Sequence, residues 1–158
     1  MQLKKENSSN QGVKNQSEKG RVMKMENSKI FTSEMKPRWD EMDANGHINY
    51  MVYLSYYSEA RLLALGQDVL MDLKEKNIGP FIYKVEVDYK KELRYPDTIR
   101  INTWISEIIG KTRSIIQQEI YSVRTNLLIS TARFHAAFVD LNRRRPIPLP
   151  QVFFDHFF

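Results

Sequence analysis

Between Asn49 and Leu65 the chain has neither proline nor glycine, and its apolar residues recur at helical spacing in two stripes. One stripe runs Met51, Leu54, Ser58, Leu62, Leu65; the other runs Tyr50, Tyr53, Tyr57, Ala60, Ala64. A helix that is apolar around most of its circumference has to be wrapped, and a curved sheet can wrap it. Asn49 or the residues just before it are placed to cap this helix, and Gly66 to end it. Gln67 to Lys76 reads as a shorter helical continuation, closed by Asn77 and a turn at Gly79-Pro80.

After that turn the period changes to two. Phe81, Tyr83, Val85, Val87 and Tyr89 alternate with Ile82, Lys84, Glu86, Asp88 and Lys90, which predicts a strand. Tyr95-Pro96-Asp97, Gly110-Lys111 and Arg124-Thr125-Asn126 punctuate three more long strands, over 98–109, 112–123 and 127–141. Ahead of the helix, residues 29–39 predict a strand that ends irregularly at Pro37. The closing run R-R-R-P-I-P-L-P is expected to stop regular structure. Strand, long buried helix and a meander of four strands make an α+β order, and no internal repeat interrupts it. One helix wrapped by one curved antiparallel sheet is the hotdog arrangement. Its open edge and uncovered face call for at least two associated copies.

Composition narrows the class. A chain of 158 residues with 42% hydrophobic and 11% aromatic content suits one globular domain and is short for two. There is no cysteine, which excludes disulfides, Cys-bound zinc, iron–sulfur clusters and thiol catalysis, and fits a reducing cytosol. No apolar run is long enough to span a membrane, and no apolar stretch follows the N-terminal basic residues as a secretory signal requires. The net charge of +5 raises the question of nucleic acid. Seven of the basic residues and only three acids lie in residues 1–29, so the remainder is nearly neutral and carries no basic face for a nucleic acid. Residues 1–28, rich in Asn, Gln, Ser, Lys and Glu, are expected to form a disordered polar tail, and residues 29–158 a single domain.

The chemistry is concentrated in R-W-D-E-M-D-A-N-G-H-I-N-Y-M-V-Y-L-S-Y-Y-S-E-A-R, residues 38–61. Asp43, Asn45, Gly46, His47 and Asn49 fall within seven positions at the entrance to the long helix. Unpaired N–H groups and the helix dipole at such an entrance favour developing negative charge. Gly46 permits close backbone approach, and the N–H groups around Gly46, His47 and Ile48 are candidate oxyanion donors. Asp43 is placed to attack a carbonyl or to take a proton from water; the residues alone leave both roles open. Asn45 suits orientation of the water or the carboxylate, and His47 positioning or proton donation. An isolated Asp at a helix start is more often a cap, but Asn45, Gly46 and His47 beside it favour chemistry here. Elsewhere, His135 reads as core or interface, His156 as tail, and Arg61 as a local ion pair or helix anchor. A calcium loop starting at Glu41 fails because Val52 stands where a bidentate Glu is needed, and three scattered histidines do not make a zinc site.

This segment resembles the signature of hotdog-fold thioesterases of the 4-hydroxybenzoyl-CoA thioesterase type. Its Asp-x-Asn-x-His run is also similar to the active-site segment of plant-type acyl-ACP thioesterases. The resemblance covers residues 30–150. It implies hydrolysis of an acyl thioester of coenzyme A or acyl carrier protein, by a homodimer or homotetramer, with no metal or other cofactor; the cytoplasmic location is expected from the absence of cysteine. By the same resemblance Asp43 matches the catalytic aspartate, Asn45 and His47 further active-site residues, and Glu92 a glutamate on the strand after the helix. Arg113 and Ser114 resemble the start of a strand near the CoA phosphates. Tyr50 departs from the pattern, where many relatives carry Asn or His. Two other readings remain on the same fold: a module that binds an acyl thioester without cleaving it, and a dehydratase or hydratase. The expected partners include no nucleic acid and no membrane span.

Overall fold

The structure, a computed structural model, describes residues 20–158. Glycine at position 66, with φ of +79°, breaks one helical run into two: α1, Val52–Leu65, and α2, Gln67–Glu75. Three short or early elements precede them. These are β1 (Val22–Lys24), β2 (Phe31–Met35) and a single 3-10 turn at Trp39–Glu41. Four long strands follow: β3 (Ile78–Tyr89), β4 (Ile99–Ile109), β5 (Arg113–Ser122) and β6 (Leu128–Asp140). The chain closes with β7 (Arg145–Ile147) and α3 (Gln151–Phe157). All strand pairs are antiparallel, in the order β1-β4-β5-β6-β3, with β2 also on β4 and β7 also on β6.

Two apolar clusters fill the space inside the sheet. Tyr53, Tyr57 and Ala60 of α1 pack on Ile101, Ile120 and Phe134. Val69 and Leu73 of α2 share the second cluster with Ile105, Phe138, Phe153 and Phe157. Burial of these side chains contributes roughly 1.5–3 kcal/mol each before entropy is counted. The buried Tyr57 hydroxyl donates to Ser130 Oγ at 2.8 Å, and Gln118 Nε2 donates to the Tyr57 carbonyl at 3.1 Å, pinning α1 to the sheet floor.

Four expectations are corrected. First, α1 is not wrapped all round. The Tyr53, Tyr57, Ala60, Ala64 stripe is buried, but Met51, Leu54 and Leu62 are exposed, because one sheet covers only one side of a helix. Second, β3 changes face part-way. A register shift between Ile82 and Lys84 inserts Tyr83 as an extra residue, so Ile82 and Val87 both reach the core while Phe81 and Tyr83 stay outside. Gly79 and Pro80, expected as a turn, lie within β3; Pro80 is tolerated because β3 is an edge strand.

Third, the Pro-rich end is structured. Arg145–Ile147 pairs with β6, and Pro150 opens α3, whose Phe153 and Phe157 are buried. His156 is no tail residue: Nε2 bonds the Ala64 carbonyl at 2.7 Å, and the ring stacks on Phe31 at 4.9 Å. Fourth, the expected tail over 1–28 falls mostly outside the described residues, yet Val22–Lys24 pair with Ile109–Glu107 of β4. Three residues are too few for an alternation to show in sequence, and backbone pairing alone holds them.

Candidate active site

The loop from Asp43 to His47 is closed by its own backbone. The Asp43 N–H donates to the His47 carbonyl at 2.8 Å, and the Gly46 N–H to the Asp43 carbonyl at 3.0 Å. Gly46 sits at φ +74°, and nothing lies within 4 Å of where a Cβ would project, so the glycine is there for its dihedral. Met42 and Ile48 form a bridge on either side, and the Ile48 N–H donates to the Leu93 carbonyl at 2.8 Å. Asn49 Oδ1 then accepts the Met51 N–H at 3.0 Å in the turn ahead of α1; the helix N-cap itself is Met51, with no side-chain cap, rather than the expected Asn49 or a residue just before it. Two of the three expected oxyanion donors, the amides of Gly46 and Ile48, are therefore already taken by protein carbonyls. The His47 N–H has no such acceptor among the described residues.

The half-buried Asp43 uses one carboxylate oxygen, Oδ1, to accept the Asn45 N–H at 2.9 Å. Its other oxygen carries no hydrogen bond among the described residues. Asp43, His47, Ile48 and Glu92 line one open cleft of about 330 Å³, with Tyr50, Tyr53, Tyr89, Lys90 and Lys91. The structure thus brings together Asp43, His47 and Glu92, from two segments far apart in the chain. Asn45 and Gly46 are exposed in the turn and shape it without lining the cleft. Arg113 and Ser114 are not at this cleft. Arg113 is exposed, and Ser114 lines a separate chamber under α1.

His47 Nε2 lies 2.8 Å from Glu92 Oε2 and also 2.8 Å from an Arg94 guanidinium nitrogen, which in turn sits 3.1 Å from the same Glu92 oxygen. A protonated Nε2 donates to Glu92; a bare one accepts from Arg94. Arg94 escaped the sequence reading, although its spacing of two from Glu92 in K-E-L-R places both side chains on one side of an extended segment. The tyrosines form the apolar wall. Burial pushes the Tyr53 hydroxyl up to about 12, and Tyr89 meets both Tyr50 and Tyr53 edge to face. Glu41 anchors the site's rear: its carboxylate accepts from the Tyr56 hydroxyl and from the Arg38 N–H, so Tyr56 is held protonated, by burial first and then by Glu41. Among the described residues no His, Asp and Glu cluster suits a metal ion, and no helix is long and apolar enough to cross a membrane.

The cleft thus combines a carboxylate with one unengaged oxygen, a tyrosine wall and a lysine edge. The sequence profile of the thioesterase-like superfamily matches residues 37–157. The chain belongs to the thioesterase-like superfamily. Among thioesterase-like relatives, the Bacillus subtilis protein YneP is 28% identical over 129 residues, covering 80% of this chain and 91% of its own. The acyl-CoA thioesterase YbgC of Haemophilus influenzae is 25% identical over 126 residues, covering 77% and 89%. The DHNA-CoA thioesterase of Staphylococcus aureus, a solved structure, superimposes with a TM-score of 0.69 at 26% identity, over 80% of this chain and 85% of that one. The fold is the expected α+β hotdog of these thioesterases, with α1 as its central helix.

Proposed function

We propose that this protein hydrolyses acyl thioesters of coenzyme A, with Asp43 as the carboxylate that does the chemistry. The supporting observation is the unengaged Asp43 oxygen on a cleft shared with His47 and Glu92, in a chain of the thioesterase-like superfamily. Asp43 acts on water or on the carbonyl carbon itself. The His47 N–H is the candidate oxyanion donor, a contribution of roughly 3 kcal/mol when well placed. Asn45 fixes the Asp43 carboxylate through its backbone N–H, and the Glu92 and Arg94 pair holds the His47 ring. Thiolate departs readily, so carbonyl activation matters more than general acid help. Lys90 and Lys91 at the rim, with Arg94 beside them, supply positive charge for the carrier's phosphates in place of the expected Arg113. The cysteine-free composition suits a reducing cytosol.

The working unit in this reading is a homodimer joined along β3. This strand is a twelve-residue sheet edge with Phe81, Tyr83 and Val85 exposed, the kind of edge that pairs with another chain. Antiparallel pairing of a strand with its own copy sets the Tyr89 end of one protomer beside the Pro80 end of the other.

The test is thiol release over a panel of acyl-CoAs and acyl carrier proteins, with Asp43→Asn beside the unaltered protein. A loss of at least about a hundredfold in kcat with KM little changed is expected. Full activity in the variant ends the assignment of Asp43, and no thiol release from any acyl thioester ends the reading.

A further inference from the structure

Arg61 has no carboxylate. Its guanidinium donates to Gln118 Oε1 at 2.9 Å and lies 3.7 Å from the centre of the Phe134 ring, and neither partner carries negative charge. No acid pairs with it among the described residues, so of the two roles expected from sequence the local ion pair is absent and the helix anchor remains. Burial alone pulls its pKa down to about 10, still charged at neutral pH. A cation taken out of water without a counter-ion is costly, and a fold that keeps one leaves a place for an anion.

That place exists. Arg61 lines a partly open apolar chamber of about 210 Å³ between α1 and the sheet, with Ile105, Ile116, Ala136 and Phe153 in its wall. Ser114 lines it too, 1% exposed, and its Oγ is one of the two buried side-chain polar atoms among the described residues that lack any partner. The strand register measures the space between them. Phe134, under the guanidinium, pairs with Ile116; Ser114 pairs with Ala136, two residues further along and about 7 Å by strand rise. An apolar slot has a cation at one level and an unsatisfied hydroxyl roughly 7 Å away.

We propose that this chamber binds a short aliphatic carboxylate, its charge held by Arg61 and its chain directed toward Ser114. A hydroxyl at the far end of such an acid meets Ser114 Oγ. The site is distinct from the Asp43 cleft and does not depend on hydrolysis there. Because Ser114 lies on the far side of Arg61 from the Asp43 cleft, the carboxylate arrives as a free acid.

Calorimetry of the full chain with hexanoate, 6-hydroxyhexanoate and hexanol tests this. Hexanoate is expected to bind at least about tenfold tighter than hexanol, with that advantage lost in Arg61→Met. 6-Hydroxyhexanoate is expected to exceed hexanoate, and Ser114→Ala, a small change in the chamber wall, to remove that excess while leaving hexanoate binding intact. Adipoyl-CoA and hexanoyl-CoA are expected to be hydrolysed at equal rates; a preference for adipoyl-CoA that vanishes in Arg61→Met would overturn the proposed orientation, since it puts the chain on the Asp43 side of Arg61. Hexanoate binding no tighter than hexanol in the unaltered protein overturns the proposal without any variant, and so does undiminished hexanoate binding in a folded Arg61→Met. Absence of thiol release would bear on Asp43 and leave the calorimetry to decide the chamber.

Discussion

His47 Nε2 stands 2.8 Å from Glu92 Oε2, a contact that ties the loop before α1 to the segment after β3. Ile48 reinforces the same junction through its bond to the Leu93 carbonyl. If the pair acts as a unit, its parts are not additive. His47→Ala and Glu92→Gln are each expected to lower kcat/KM by roughly tenfold, and the double variant by little more than the worse single one. Thiol-release kinetics on the four proteins measure this, and a double variant at the product of the two losses would show that the residues act independently.

The two roles open to Asp43 leave different isotopic marks. In a single turnover in ¹⁸O-water, direct attack followed by hydrolysis at the aspartyl carbonyl leaves label on the protein and none in the product acid. General-base catalysis leaves it in the product. Mass spectrometry of the peptide containing Asp43 reads the difference, and a label in neither place contradicts both roles.

Glu86 predicts a pH effect. Its carboxyl is held down to about 2, first by the hydrogen bond from Lys84 and then by that from His135, with Arg133 opposite it on β6. A folded-state value below the ordinary one gives stability that is full above the ordinary carboxylate range and lost as pH falls through about 2. Glu86 is exposed, so the effect is small. An NMR titration of the Glu86 side chain should find its midpoint near 2, and Glu86→Gln should lose less thermal stability than the unaltered protein between pH 5 and pH 2.

The C-terminal helix should prove structural. Phe153 is 2% exposed in the second cluster, and Phe153→Ala is expected to cost about 3–5 kcal/mol in denaturant unfolding. A cost under about 1 kcal/mol would mean that α3 contributes little to the core.

The proposed dimer rests on the outer residues of β3. Light scattering should report a dimer for the unaltered chain, and a monomer once Phe81 and Tyr83 are both replaced by Lys, since charge on an edge opposes pairing. A monomeric unaltered chain would remove the dimer from the reading.

The long elements were legible because their signals are redundant. α1 announces itself through seventeen residues without a breaker, and β4, β5 and β6 through alternation bounded by turn residues. The cluster of Asp43, His47 and Glu92 was legible by residue type and resemblance. What escaped was local pairing. The Gly46 and Ile48 amides precede a helix, as oxyanion donors would, but the bridge between Met42 and Ile48 and the carbonyl of Leu93 use that stretch to close the loop. β7 and α3 escaped because prolines mask a segment that uses them at an edge and at a helix start. Of the two roles expected for Arg61, the local ion pair is absent among the described residues, while its contacts to Gln118 and Phe134 fit the helix anchor; its inward course has no signal in the sequence.

The extra residue at Tyr83 works as a phase switch. Counting by twos, the first half of β3 sends Phe81 out and Ile82 in; after the switch it is the odd-numbered Val87 that reaches the core. Straightening the bulge with every residue kept would invert the sense of everything before it, driving Phe81 toward the interior and Ile82 to the surface. The bulge, rather than the identity of the side chains, therefore sets which face each half of β3 presents, and homologous swaps at Phe81 and Val85 should be tolerated, as should loss of the unpaired Tyr83.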